Sequence, residues 1–278
     1  MERRRHRVDM TPLAARSFAG LLEQMTGQQL ATARRWRIET ALQPLMRQHN
    51  ISSLDMLAGL ASQPGSALRE DVVEALLNHE TSFYRDLPIF KAIGDEALPA
   101  IAESRSARKL RIWSAGCSTG QEAYSLAFMF SNQGARWDDW QIDILGTDVS
   151  PQAIAQARNG IYSQFEVQRG LPISDLIARF EQEGDDWRVR PLLKARTSFM
   201  VHNLLDPVPA NRFDMILCRN VLLYFSPERR RIVLDRLASA IAPDGMLILG
   251  AGETVLGQTD AFNPDPQLRG IYRPTGSA

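Results

Sequence analysis

Up to about residue 105 the hydrophobic positions recur at intervals of three and four. Leu30, Ala33, Ile38, Ala41, Leu42, Leu45 and Met46 form one such series, and Leu68, Val72, Val73, Leu76 and Leu77 another. This spacing predicts amphipathic helices, and no strand is apparent in the region. Gln63-Pro64-Gly65-Ser66 reads as a break between helices, with Ser66 placed to cap the next one. From residue 110 the pattern changes to short apolar runs separated by helical stretches: Leu110 to Trp113, Ile142 to Leu145, Ser198 to His202, Phe213 to Cys218 and Met246 to Leu249. That alternation predicts a parallel sheet with crossover helices. Ser150-Pro151 and Ser226-Pro227-Glu228 supply a hydroxyl cap followed by proline at the first helical position. From about Tyr162 to Thr197 the rhythm breaks, and Gly184-Asp185-Asp186 followed by Trp187 and Val189 predicts an inserted small subdomain with a helix and a hairpin.

Candidate chemistry gathers where the apolar runs end. Leu110-Arg111-Ile112-Trp113 leads into Ser114-Ala115-Gly116-Cys117-Ser118-Thr119-Gly120 and then a helix near Gln121-Glu122. A glycine-rich turn there lets backbone approach a ligand at the crevice of an open α/β sheet. The spacing is not the dinucleotide Gly-x-Gly-x-x-Gly pattern and lacks the lysine of a phosphate-binding loop, which disfavours nicotinamide, flavin and nucleoside triphosphate chemistry. Asp148, after Gly146-Thr147, stands at the tip of the second run. It reads either as an acceptor for a ribose diol or as a helix cap. The glycine turn about thirty residues earlier moves it towards adenosine, and an adenosine ligand without phosphate is S-adenosylmethionine. Arg219-Asn220 end a buried run and require hydrogen-bond partners. Tyr224 is either a packed aromatic or a hydroxyl directed into the site.

Composition narrows the classes. The 278 residues carry 44% hydrophobic and 23% charged residues, an ordinary globular composition, and Lys+Arg 32 balances Asp+Glu 32. No bulk charge argues for nucleic acid or a membrane surface. Cys117 and Cys218 lack the paired spacing of a zinc site or redox dithiol, so no metal and a reducing compartment are expected. No stretch reaches membrane-span length, and a cytoplasmic protein is expected. Residues 1–60 hold nine Arg against five Asp or Glu. The helix bearing Arg34, Arg35, Arg37 and Arg47 is either a solvated face or a grip for an acidic partner.

These residues together resemble the CheR family of chemotaxis receptor methyltransferases, from the helical front to about residue 255. His79-Glu80-Thr81-Ser82-Phe83-Tyr84-Arg85-Asp86 is similar to the family's Asn-Glu-Thr-x-Phe-Phe-Arg signature. Trp113 to Ser125 resembles its cofactor loop, and Cys218-Arg219-Asn220-Val221-Leu222-Leu223-Tyr224-Phe225 its Arg-Asn-Val-x-x-Tyr-Phe motif. The resemblance implies a Rossmann-like class I S-adenosylmethionine-dependent methyltransferase domain, α/β in class, behind an all-α N-terminal domain and carrying a small inserted β-subdomain. Residues 1–85 would be the receptor-recognition domain, 86–278 the methyltransferase domain, and about 162–197 the insertion.

The implied activity is formation of glutamate methyl esters on chemoreceptors, leaving S-adenosylhomocysteine. Carried over by position, His79, Thr81 and Arg85 would reach the cofactor, with Arg85 at its methionine carboxylate. Glu122 and Asp148 would serve its amino-acid and ribose portions. Asn203 and Leu204 would border the adenine, Arg219 and Asn220 would line the pocket, and Tyr224 would sit beside the transferring methyl. The implied partner is the cytoplasmic helical bundle of a chemoreceptor, met through the Arg34, Arg35, Arg37 face by a monomer. The short turn at Glu183 to Asp186 argues against a tether to a receptor peptide. His79 replaces the family's frequent Asn, and Gln121 the first of two acids. Gly250-Ala251-Gly252-Glu253-Thr254 stands where many members have a Gly-His-Ser-Glu type sequence, and no contact is assigned to it. A non-catalytic cofactor-binding regulator and a small-molecule methyltransferase are the alternatives.

Overall fold

The computed structural model describes residues 10–30, 35–209 and 212–276. The chain divides into two compact units. One runs to Asn78 and takes in Tyr224–Ser226, and the other comprises His79–Leu223 and the chain from Pro227 onward.

The first unit is helical: α1 (Pro12–Thr26), α2 (Arg35–Gln48), α3 (Leu54–Ala61) and α4 (Leu68–Leu76). Thr11 caps α1 by accepting the Ala14 N–H, and Ser53 caps α3 by accepting that of Met56. Ser66 does not cap α4. Ala67 precedes the helix without a side-chain bond, and the Ser66 carbonyl accepts Arg69 N–H at 3.2 Å, so a backbone turn starts the helix. The core joins Phe18 and Leu22 to Ile38, Leu42, Leu54 and Val72, the stripe that the three-and-four spacing marks. Arg34 and the side chain of Arg35 lie outside the described residues.

The second unit opens with α5 (Leu87–Ala92), which runs through a π-helical turn at Ile93–Ala97 into α6 (Leu98–Glu103). Its sheet strands and crossovers are β1 (Lys109–Ala115), α7 (Gln121–Asn132), α8 (Gly134–Trp137), β2 (Gln141–Asp148) and α9 (Pro151–Asn159). The insertion follows as β3 (Ile161–Ser163), α10 (Gln164–Gln168), α11 (Ile173–Arg179), β4 (Phe180–Glu183), β5 (Asp186–Val189) and α12 (Pro191–Lys194). Then come β6 (Thr197–Val201), β7 (Phe213–Cys218), α13 (Pro227–Ala240), β8 (Ile241–Leu249), β9 (Phe262–Pro264) and β10 (Ile271–Pro274). The main sheet has the order β6-β2-β1-β7-β8-β10-β9. Its first five strands pair in parallel, and β10 runs antiparallel to both β8 and β9. The chain leaves β1 towards β2 and β6 on one side and reaches β7 and β8 on the other. The crevice at the carboxyl ends of β1 and β7 is therefore the topological switch point. The inserted strands form a separate antiparallel sheet, β3-β5-β4, with β4 and β5 joined by a tight turn at Gly184-Asp185.

The division between units falls before His79 rather than after residue 85. Phe83 explains why: it is fully buried in the core of the second unit, edge-on to Tyr162 at 5.1 Å and Phe180 at 5.6 Å. Tyr84 follows it there, its N–H donating to Ser125 Oγ at 2.9 Å and its hydroxyl to Asp175 at 2.8 Å.

Candidate functional site

The turn after β1 is built around a close approach. Gly116 has φ +80, and a Cβ there would lie 2.4 Å from Val221 Cγ2, so glycine lets the turn pass beneath the segment leaving β7. Gly116 N–H and Cys117 N–H both donate to Thr147 O, at 2.7 and 2.8 Å, which ties the turn to β2. Asp148 extends the tie. Its carboxylate accepts Ser118 N–H at 2.8 Å and Ser150 N–H at 3.0 Å. The helix-cap role belongs instead to Ser150, whose hydroxyl accepts Ala153 N–H at 2.9 Å. Asp148 therefore holds the glycine turn against the start of α9 at the crevice.

On the β6 side, His202 N–H donates to Asp148 O at 2.9 Å. The Asn203 side chain closes a local turn by accepting Leu205 N–H at 3.0 Å, and Leu204 is buried. Among the described residues His202 Nε2 is buried without a hydrogen-bond partner, with its ring against Trp113. Burial lowers its pKa below the ordinary imidazole value.

The β7 side carries the charge. Arg219 leaves β7 with its side chain 2% exposed, donating to Glu122 at 3.0 Å, Asp86 at 2.7 Å and the Arg85 carbonyl at 2.9 Å. The guanidinium also lies over the Phe90 ring at 5.6 Å. The other Glu122 oxygen accepts Ser114 Oγ–H at 2.8 Å. Arg219 thus clamps the 79–86 segment to α7. Breaking such a buried pair by removing one partner costs about 3–5 kcal/mol.

Asn220 sits at φ +59, a region asparagine tolerates, and its buried Oδ1 has no hydrogen-bond partner among the described residues. Glu253 holds this backbone in place. Its carboxylate accepts N–H from Asn220 at 2.7 Å, Val221 at 2.9 Å, Gly250 at 2.9 Å and Leu223 at 3.4 Å. Sequence reasoning assigned Glu253 no role. The signal was available, since it is an acid just past the end of β8, the kind of placement that drew attention to Asp148.

The remaining residues sort as follows. The His79 carbonyl accepts Ser118 Oγ–H at 3.0 Å, so the signature segment meets the glycine turn through backbone. Thr81 is half-buried in that segment. Arg85 donates to Glu80 O at 2.9 Å. The structure therefore brings His79, Arg85, Glu122, Asp148, Arg219 and Asn220 into one linked set, with Asn203 and Leu204 following from β6. Tyr224 belongs to the helical unit, where its hydroxyl accepts a hydrogen bond from Asn78 Nδ2. Arg37 donates to Asn78 Oδ1 at 3.1 Å within the same unit. Asp86 and Ser114, which the sequence reading gave no role, are further members of that set, and Asn78 of the helical unit was likewise given none. Both cysteines are buried, and burial raises their thiol pKa well above the ordinary value, with Asp148 and Glu122 adding to it at Cys117 and Glu253 and Glu122 at Cys218. Burial thus favours the neutral thiol at both positions. Arg219, Asp86 and Glu253 also border a cleft of about 880 Å³ between α5 and the β9–β10 hairpin.

The family model for the CheR methyltransferase S-adenosylmethionine-binding domain matches residues 79–270. The chain belongs to the CheR methyltransferase family. The start of the match coincides with the structural division at His79. Chemotaxis protein methyltransferase Cher2 of Pseudomonas putida is 34% identical over 253 residues, covering 88% of this chain and 91% of its own length. A chemotaxis protein methyltransferase of Vibrio parahaemolyticus is 34% identical over 252 residues, covering 89% and 91%. Chemotaxis protein methyltransferase 1 of Pseudomonas aeruginosa is 34% identical over 250 residues, covering 88% and 91%. This CheR-family chain is an S-adenosylmethionine-dependent methyltransferase of chemotaxis, and neither a non-catalytic regulator nor a small-molecule enzyme is favoured.

The residues present fit that cofactor. The unpartnered Asn220 Oδ1 is a buried acceptor at the switch point, which calls for a donor such as an ammonium or hydroxyl group. A carboxylate has about four lone-pair sites, so the backbone donors of Ser118 and Ser150 do not by themselves exhaust Asp148.

Proposed function

We propose that the chain transfers the methyl group of S-adenosylmethionine to glutamate side chains of chemoreceptors, forming methyl esters in chemotactic adaptation. The observation that carries the reading is the crevice at the ends of β1 and β7, with Asp148 on one side and the unpartnered Asn220 amide oxygen on the other. Asp148 accepts from the ribose diol. Asn203 and Leu204 border the adenine. Glu122, with Arg85, Thr81 and His79, takes the amino-acid end, and Arg219 keeps Glu122 and the Arg85 backbone in place.

When bound, S-adenosylmethionine supplies an electrophilic methyl carbon on a positively charged sulfur. A glutamate side chain is ionised near neutrality, so no residue of the chain has to take a proton from the acceptor. The work left to the protein is alignment and exclusion of water. Tyr224 serves the acceptor side as a hydrogen-bonding group and carries no proton away. Loss of one negative charge on the receptor helix is the signal. Arg34, Arg35 and Arg37 of the helical unit supply the receptor contact. A cytoplasmic location accords with this reading, and among the described residues no helix is long and apolar enough to cross a membrane.

Incubation with methyl-labelled cofactor and chemoreceptor membranes tests the proposal. Base-labile label on receptor is the expected result. Label on a small metabolite, or cofactor binding without transfer, rejects the receptor-ester reading.

A further inference from the structure

Three side chains of the helical unit form a hydrogen-bond chain whose direction is dictated by chemistry. A guanidinium can only donate, so the amide atom of Asn78 facing Arg37 at 3.1 Å must be the oxygen. The other amide atom is then the NH2 group, which can only donate, and it faces the Tyr224 hydroxyl oxygen. Tyr224 therefore accepts from Asn78 and keeps its own hydrogen for another partner. Among the described residues that hydrogen is donated to none. The backbone beneath is also held, since Gln29 N–H donates to the Tyr224 carbonyl at 2.6 Å. Arg37, Asn78 and Tyr224 are all half-buried and border a cavity of about 80 Å³ with Leu22, Ile38 and Ala41.

We propose that Arg37 and Asn78 are positioning residues that fix Tyr224 as a hydrogen-bond donor, its hydroxyl hydrogen directed to one oxygen of the acceptor carboxylate. This rests on the reading above that Tyr224 serves the acceptor side. A donor held on one carboxylate oxygen orients the group and leaves the second oxygen as the nucleophile. No proton is transferred, because the phenol hydrogen stays on Tyr224 throughout. Arg37 acts at two removes, by forbidding the Asn78 amide to rotate and present its oxygen to the hydroxyl.

Asn78→Asp is the decisive variant, because it keeps the shape and reverses the bond. A carboxylate there still accepts from Arg37 and takes the Tyr224 hydrogen for itself. Receptor methylation by the full chain is measured as kcat and KM, with cofactor affinity by calorimetry. Tyr224→Phe is expected to lower kcat/KM about 10- to 100-fold, the range of a hydrogen bond to a charged group. Asn78→Asp should match it within about threefold and leave cofactor affinity within about twofold. Asn78→Ala, which removes the support but leaves the hydrogen, should fall less. In a Tyr224→Phe background Asn78→Asp should add nothing, whereas a structural lesion would add its own loss. Wild-type kcat/KM in Tyr224→Phe would reject the acceptor role of Tyr224 itself. A fall in Tyr224→Phe with wild-type turnover in Asn78→Asp would reject the donor assignment alone. Should Asn78→Asp fail to fold, Arg37→Met replaces it: freed amide rotation should lower kcat/KM, again with no added loss in Tyr224→Phe, and an unchanged or additive result overturns the proposal.

Discussion

Asp148 and Glu253 are two carboxylates in corresponding places on opposite arms of one sheet. Asp148 ends β2 and gathers the N–H groups of Ser118 and Ser150, whereas Glu253 follows β8 and gathers those of Asn220, Val221, Leu223 and Gly250. Four donors fill the roughly four lone-pair sites of a carboxylate, two on each oxygen of Glu253. Glu253 is thereby a scaffold for the loop that presents Arg219 and Asn220, although it borders the 880 Å³ cleft. Position at a strand tip marks an acid worth testing, and the full set of backbone donors on Glu253 marks that one as a holder.

The comparison breaks most readily at Glu253. Glu253→Ala leaves four backbone donors without their acceptor, and each buried unsatisfied donor costs about 1–3 kcal/mol. A loss of about 3–5 kcal/mol is expected in urea unfolding, because water reaches the more exposed donors such as Leu223 N–H and offsets part of the penalty. A loss below 1 kcal/mol would show that the loop holds itself. Asp148→Ala should invert the balance, costing about 1–2 kcal/mol of stability but weakening S-adenosylmethionine binding at least about 100-fold, since a ribose diol supplies two hydrogen bonds to a charged group. Unchanged affinity by calorimetry would remove Asp148 from the ribose role and leave the two acids alike.

The centre of this sheet was legible in the chain because burial on both faces writes β7 and the end of β8 as continuous apolar runs, while β2 alternates buried with exposed positions. The five parallel strands fall on the five runs, whereas β9 and β10 escaped notice. They are elements of three and four residues at one end of the sheet, containing Pro264 and Pro274 and too short to show a period. The helical stripes around Leu42 and Val72 were equally readable. At the site, Asp148 and Asn220 stood out because polar residues ending apolar runs need an explanation. Glu253 and Asp86 did not, because their partners lie tens of residues away and backbone N–H groups carry no sequence identity, and the same separation hid Asn78 in the helical unit. The resemblance singled out Tyr224 as a candidate, but not the direction of its hydrogen bond, which needed Arg37 and Asn78 in one frame.

Gly116 couples the two arms, since Val221 presses on it through its side chain while its N–H is held by Glu253. Gly116→Ala meets two separate penalties, a positive φ and a Cβ 2.4 Å from Val221 Cγ2. A destabilisation of about 2–3 kcal/mol is expected. Adding Val221→Ala should recover the steric part and leave about 1 kcal/mol from the backbone. If the second substitution recovers nothing, the glycine turn and the Glu253 loop are energetically independent, and the contact between the arms is incidental.

The smallest effect sharpens the contrast by supplying a carboxylate of a third kind. Asp244, in β8, accepts no crowd of backbone groups. It pairs with Arg105 at 2.5 and 2.8 Å and takes Ser104 Oγ–H at 2.9 Å, with half of its side chain exposed. Arg105 holds its pKa down, from an ordinary 3.8 to about 2. A carboxylate with a depressed folded-state pKa contributes stability that is fully present above its unfolded value and is lost as pH falls through the folded one. Asp244→Asn should therefore reduce stability by less than about 1 kcal/mol at pH 7, screened as an exposed pair is. The gap between variant and wild type should close from about pH 4 down through about pH 2, and should narrow in 1 M salt. Glu253→Gln should show no comparable relief in salt, because its oxygens are held by backbone donors and not by a cation. Parallel salt dependence in the two variants would mean that charge, and not donor geometry, governs both carboxylates.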